Sequence, residues 1–381
     1  MNLRLISLCF APFAFGTSAF VLLGLIDPMA KDLNVSVSMV GYLQTAFALS
    51  CAIGGPILAR LTARINRKRM LLFVMFILVL LNLVTALSNS FEQILTVRLL
   101  TGMFAALTLP LATTIAVSLV PDVDRAKAIS TVLVGYTIAF LLGIPMGSIL
   151  GDILGWHAAF GFAALLTCIG ILVIGIAAPG DVAAPDISKV SFKSALALDN
   201  PRLMLTTMLI FFATFSTVAF IGPVITNTTS IAGSGIGWVQ ISTGIGGLLG
   251  LPIGAYLGRL PLRRGLYLLL SVTFFTQALF AVGMLFDLSF IALPVLLIVM
   301  VAGSAALFAS LPVIQSKLAQ NAGAATTIAF ALNGSMLYIG QGLGASFGGL
   351  TIDSVGIAWI GAVGALVALM GLWNVRGLKF S

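Results

Sequence analysis

Leu61-Thr62-Ala63-Arg64-Ile65-Asn66-Arg67-Lys68-Arg69 and, 195 residues further on, Tyr256-Leu257-Gly258-Arg259-Leu260-Pro261-Leu262-Arg263-Arg264 carry one cationic pattern twice. Arg64, Lys68 and Arg69 recur as Arg259, Arg263 and Arg264 with identical spacing, and Gly55 and Leu71 recur as Gly250 and Leu266. Each cluster separates two apolar stretches. A cationic hairpin at equivalent places in two halves of an apolar chain predicts a duplicated bundle of membrane helices, with the substrate path between the halves.

Composition sets the solvent. Of 381 residues, 60% are hydrophobic and 8% charged, and the mean hydropathy is +1.17. A water-soluble fold of this size cannot bury so much apolar surface, so lipid must solvate much of it. The net charge of +8 does not imply nucleic acid, because the cations stand between apolar runs and form no basic domain. Cys9, Cys51 and Cys168 lie within apolar stretches without paired spacing, which argues against disulfides and zinc. A single histidine, His157, argues against a histidine metal cluster, and no cofactor is implied. The apolar run from Leu5 to Pro28 could be read as a signal peptide. Its length and the lack of a small-residue cleavage site favour a retained first helix.

Breaking the chain at polar, Gly/Pro and charged clusters predicts twelve spans: 5–29, 38–61, 70–88, 93–119, 128–151, 156–178, 203–227, 233–257, 265–286, 288–316, 322–348 and 355–375. The expected fold is therefore an all-α membrane protein with two pseudo-symmetric six-helix bundles, 1–178 and 202–381. A cytoplasmic linker, 179–201, joins them, and Ser191 to Leu198 within it could form a short surface helix. With both termini inside, 17 of the 19 Lys and Arg residues fall on the cytoplasmic side. Lys31 is then the outer cation and Arg98 lies within a span, so the positive-inside bias favours this orientation.

Glycines mark one helix in each half. Gly135, Gly143, Gly147 and Gly151 share a face of span 5, and Gly340, Gly344 and Gly348 repeat the pattern in span 11. Small residues there allow close packing, and Gly143, Pro145 and Gly147 together form a candidate hinge.

Several short motifs add to this. They are Gly16-Thr17-Ser18-Ala19-Phe20-Val21 with Gly24-Leu25-Ile26 and Asp32-Leu33-Asn34-Val35-Ser36, the basic loop at Arg64, Lys68 and Arg69, and Arg98 with Gly102. Gly143-Ile144-Pro145-Met146-Gly147 and Gly155-Trp156-His157-Ala158-Ala159-Phe160 complete the set. Across essentially the whole chain the sequence resembles the major facilitator superfamily, in its twelve-helix drug:proton antiporter branch, and most of all the sugar-efflux and arabinose-efflux-like permeases. Three positions depart from that pattern. Ala63 stands where relatives carry an Asp, which weakens the transfer of a charge-relay gate to this loop. Ala19 stands where many carry an acid, and His157 where Arg is common.

Charged residues inside lipid cost roughly 2.5–3.5 kcal/mol even on lenient scales, so the few present require explanation. Asp27 and Arg98 lie at similar predicted depths, about 3 Å apart, and form a candidate proton-coupling pair. The structural alternative is a rim carboxylate and an arginine that braces helix packing. Asp152 and Asp353 fall near outer ends. Thr17, Gln44, Tyr136, Asn333, Tyr338 and Gln341 are polar groups within spans. They must face other helices or a wet cavity, and the resemblance implies that their helices line the substrate cavity. Phe211, Phe212, Phe215 and Phe220 form an aromatic stripe, either packing or an apolar cavity wall.

The resemblance implies a multi-pass cell-membrane transporter, and a bacterial inner-membrane one if the source is bacterial. It would be a monomer in lipid that exports a small neutral or amphipathic solute in exchange for protons. Proton-linked or facilitated uptake of a sugar or organic solute is the second reading. No nucleotide-binding glycine loop is present, so no built-in ATP engine is visible. An intramembrane enzyme or sensor is remote because the spans hold no paired carboxylates and the one histidine falls at an outer loop.

Overall fold

The computed structural model describes residues 3–62, 64–121, 124–180, 195–196, 198–286 and 289–378. Among these the regular structure is helical, with no strand. The main helices are α1 (Leu3–Gly24), α2 (Val37–Leu61), α3 (Arg67–Leu87), α4 (Phe91–Ser118), α5 (Lys127–Leu154) and α6 (Trp156–Ala177). After them come α7 (Asn200–Val218), α8 (Ser234–Leu257), α9 (Leu262–Leu285), α10 (Ala292–Ala322), α11 (Thr326–Val355) and α12 (Ile357–Arg376). Eleven of these, all but α11, are long and apolar enough to cross a membrane. At 30 residues α11 has the length, but Asn333, Ser335, Gln341, Ser346 and its glycines dilute its apolar character. Ala63, Asp287, Lys379 and most of the expected linker, Lys189 and Lys193 included, lie outside the described residues.

Two expected spans are shorter than the pattern suggests. α1 ends at Gly24 and a separate helix, Ile26–Asp32, follows it, while α7 ends at Val218 and Ile221–Thr229 follows. In each short helix a proline, Pro28 or Pro223, occupies the third position. Proline is tolerated there because the first-turn N–H groups have no intrahelical partner, so it marks a restart of the helix. The two prolines are 195 residues apart, the offset of the basic clusters.

Contacts divide the chain into two units. Unit 1 holds residues 1–35, 49–186 and 233–241; unit 2 holds 36–48, 187–232 and 242–381. The start of α2 thus packs with unit 2 and the start of α8 with unit 1.

In unit 1, α5 lies on α1. A Cβ at Gly135, Gly143, Gly147 or Gly151 would overlap Cys9, Thr17, Val21 or Leu25 in turn. In unit 2, α11 lies on α7, where Gly340, Gly344 and Gly348 leave room for Met208, Phe212 with Phe215, and Ser216 with Phe220. The glycine faces are therefore close helix contacts. They follow the rule that lipid-embedded helices associate through small residues when no hydrophobic driving force separates helix from tail. α5 also opens into a π-turn, Ala139–Gly143, immediately before Pro145. Proline offers no N–H to the preceding turn, and wide turns of this kind interrupt α-helices at functional positions.

Candidate functional site

Within unit 1 the polar centre is Arg98 on α4, 1% exposed. Its Nη1 donates to the Ser18 carbonyl on α1 at 3.0 Å, and the guanidinium lies 4.9 Å from the centre of the Phe160 ring. The Ser18 hydroxyl donates in turn to Asn82 Oδ1 on α3 at 3.0 Å. A planar cation suits this place because it can donate along one edge and stack by one face. Asp27 is the second residue of the short helix Ile26–Asp32 and is half-buried. A carboxylate in a first helical turn is favoured by the helix dipole. Ser18 and Phe160 both help to position Arg98.

Thr17 is fully buried, donates to Phe13 O at 2.9 Å and packs on Gly143. Tyr136 belongs to an aromatic cluster, with ring centres 5.9 Å from Phe15, 5.9 Å from Phe20 and 5.5 Å from Phe140. The start of α8 brings Gln240 to α5, where it accepts from the Ser148 hydroxyl at 2.6 Å.

Unit 2 holds a different kind of polar centre. Gln44 and Gln341 are both 0% exposed, and among the described residues neither amide nitrogen nor amide oxygen of either has a hydrogen-bond partner. By helical phase Gln341, one turn before Gly344, faces α7, where Gly344 packs on Phe215, while Gln44 is one turn beyond Gly41, which packs on Phe220 past the end of α7. Phe211 and Phe215 on α7 are buried and stack at 6.1 Å. Asn333 instead accepts from the Thr207 hydroxyl at 2.8 Å, and Tyr338 is half-buried.

The basic clusters have mixed surroundings. Arg64, Arg69, Arg259 and Arg264 are exposed, and Arg263 is half-buried. Lys68 Nζ donates to Gly175 O at 2.8 Å and Ala178 O at 2.7 Å, so it closes the C-terminal end of α6. Asn66 caps α3 by accepting from the Arg69 N–H at 3.1 Å.

Two acids that the sequence places only near helix ends are engaged. Asp152 accepts from the Ser234 N–H at 2.7 Å, and Asp353 accepts from the Ser38 hydroxyl.

The family model of the Major Facilitator Superfamily matches residues 8–335. The chain belongs to that superfamily. As a member, it is a multi-pass membrane transporter for small molecules and not an enzyme. It is 28% identical to the inner membrane transport protein YdhP of Escherichia coli (strain K12), over 98% of this chain and 95% of that protein. It is 34% identical to a chloramphenicol resistance protein of Streptomyces lividans, over 69% of this chain and 68% of that one. Its fold matches the crystal structure of the nucleoside transporter NupG with a TM-score of 0.73 at 18% identity, covering 100% of each chain.

Proposed function

We propose that this superfamily member exports a small neutral or amphipathic solute, such as a drug, sugar or metabolite, by alternating access in exchange for protons. The observation that carries the choice of solute is the pair Gln44 and Gln341. Two buried amides, without partners among the described residues, cost about 1–3 kcal/mol each, a cost that a hydrogen-bonding ligand removes. With the stacked Phe211 and Phe215 of α7, they suit a solute with an apolar ring and hydrogen-bonding groups, and not a polycation. Export is supported by the similarity to a chloramphenicol resistance protein, since removing a drug from the cell is one way to resist it. Thr17, Tyr136, Asn333 and Tyr338 are the remaining cavity candidates, Gly143, Pro145 and Gly147 the hinge, and Asp27 with Arg98 the coupling pair. The basic clusters mark the cytoplasmic side, and the working unit is a monomer in lipid.

A thermal-shift screen of purified protein against sugars, drugs and metabolites tests the solute class. Neutral or amphipathic compounds should stabilise the parent and lose that effect in Gln44→Leu/Gln341→Leu. Stabilisation by polycations alone, or hits indifferent to both glutamines, contradicts the reading. Coupling is read separately, since Asp27→Asn should flatten the pH dependence of flux, and an unchanged pH profile removes Asp27 from the mechanism.

A further inference from the structure

The two basic hairpins repeat each other in sequence but not in bonding. At the first, Asn66 caps α3, Arg67 donates to Thr62 O at 3.4 Å, and Lys68 donates to the Gly175 and Ala178 carbonyls. The matching positions 195 residues further on are Pro261, Leu262 and Arg263. Pro261 has no capping group, and α9 starts without a side-chain cap. Among the described residues, the guanidinium groups of Arg259, Arg263 and Arg264 take part in no ion pair and no hydrogen bond. No Asp or Glu stands in the chain between Asp199 and Asp287 to neutralise them. Arg263 and Arg264 also lie in the first turn of α9, where the helix dipole disfavours cations. Three uncompensated positive charges at one turn call for an anion from outside the chain.

The surface below the turn says which kind. On α8, Leu249, Ile253 and Tyr256 are exposed, and spacings of four and three put them on one face, with Arg259 three residues further on. On α9, Arg264 is followed on its own face by exposed Leu268, Phe275 and Leu279. Gly265 packs on the Leu257 carbonyl, so both apolar faces begin at the same tight turn. In a multi-pass membrane protein such faces meet acyl chains, and the arginines at their ends stand at the level of the headgroups. Tyr256, 62% exposed, has the amphipathic ring that suits this boundary.

We propose that the turn between α8 and α9 binds an anionic phospholipid, its phosphate held by Arg259, Arg263 and Arg264 and its acyl chains lying on the exposed faces of α8 and α9. A guanidinium fork donates two parallel hydrogen bonds to phosphate oxygens, and basic residues at a membrane surface attract anionic lipids. Free phosphate would leave the apolar faces unused. A choline headgroup brings its own cation against three others. The first hairpin has an exposed apolar face too, at Phe73, Phe76 and Leu80 on α3, but its Lys68 is already spent on α6. The lipid site is indifferent to cargo and to transport direction.

The test uses the full-length protein in detergent, read by native mass spectrometry. Phosphatidylglycerol and phosphatidylcholine of matched acyl chains are titrated into the micelles. The parent should retain phosphatidylglycerol about tenfold or more over phosphatidylcholine. Each cation at an anionic surface is worth about fivefold in affinity. Arg263→Gln should therefore weaken binding of the first phosphatidylglycerol about fivefold, and Arg259→Gln/Arg263→Gln/Arg264→Gln about a hundredfold. Arg64→Gln/Arg69→Gln, at the other hairpin, should change it by less than about twofold. Inorganic phosphate in large excess should not displace the lipid. Equal retention of the two lipids, displacement by inorganic phosphate, or an equal loss in Arg64→Gln/Arg69→Gln overturns the proposal. Should the triple variant fail to insert, Arg263→Gln keeps two of the three cations, and unchanged binding in that protein also overturns it.

Discussion

Gln44 and Gln341 have side chains close to leucine in size, yet each buries an amide with no partner among the described residues. Leucine at these positions should make the protein more stable, by about 1–3 kcal/mol for each amide relieved, and a worse transporter. Thermal unfolding and flux measured on the same preparations check this; a loss of stability would mean the amides are satisfied structural groups. Arg98 is the opposite case, a buried cation with defined contacts. Arg98→Lys keeps the charge but loses the planar stack on Phe160 and should cost about 1–2 kcal/mol, read as a lower melting temperature in detergent. At this scale the sequence identified which polar residues needed explaining, but not their partners. Asn333 finds Thr207 from 126 positions away, and Asp353 finds Ser38 from 315. Neither distance leaves a local trace.

At the scale of elements, the glycine faces of α5 and α11 were legible because spacing on a helix fixes direction, and both proved to be close contacts. They predict a contrast between glycines. Gly344→Ala places a methyl against the Phe212 carbonyl and the Phe215 backbone, and should destabilise by about 1–3 kcal/mol. Gly161→Ala meets nothing within 4 Å and should stabilise by about 0.5–1 kcal/mol through helix propensity. Paired melting curves decide it, and equal effects would contradict the packing. The breaks after α1 and α7 escaped the span pattern because hydropathy continues across them. The cue was a proline in each, placed where a new first turn tolerates it.

At the scale of the whole molecule, the duplicated basic clusters were sufficient to suggest a repeated membrane bundle. The family model and the eleven apolar spans agree with a membrane transporter of this superfamily. Composition conveyed that much because lipid demands long apolar helices wherever the chain crosses. The proposed sidedness rests on the cations: single cysteines at Arg64 and Arg259 should label only from the cytoplasmic side, and labelling from outside would reverse the topology. Cargo was not legible, because the same fold serves many solutes and only a few side chains select among them. The most direct measurement is flux of a neutral hit from the thermal-shift screen in proteoliposomes of known orientation, with and without a proton gradient. The account predicts saturable movement in the export direction that is driven by the gradient and lost in Gln44→Leu/Gln341→Leu. Movement of the hit that ignores both the gradient and the two glutamines would contradict it.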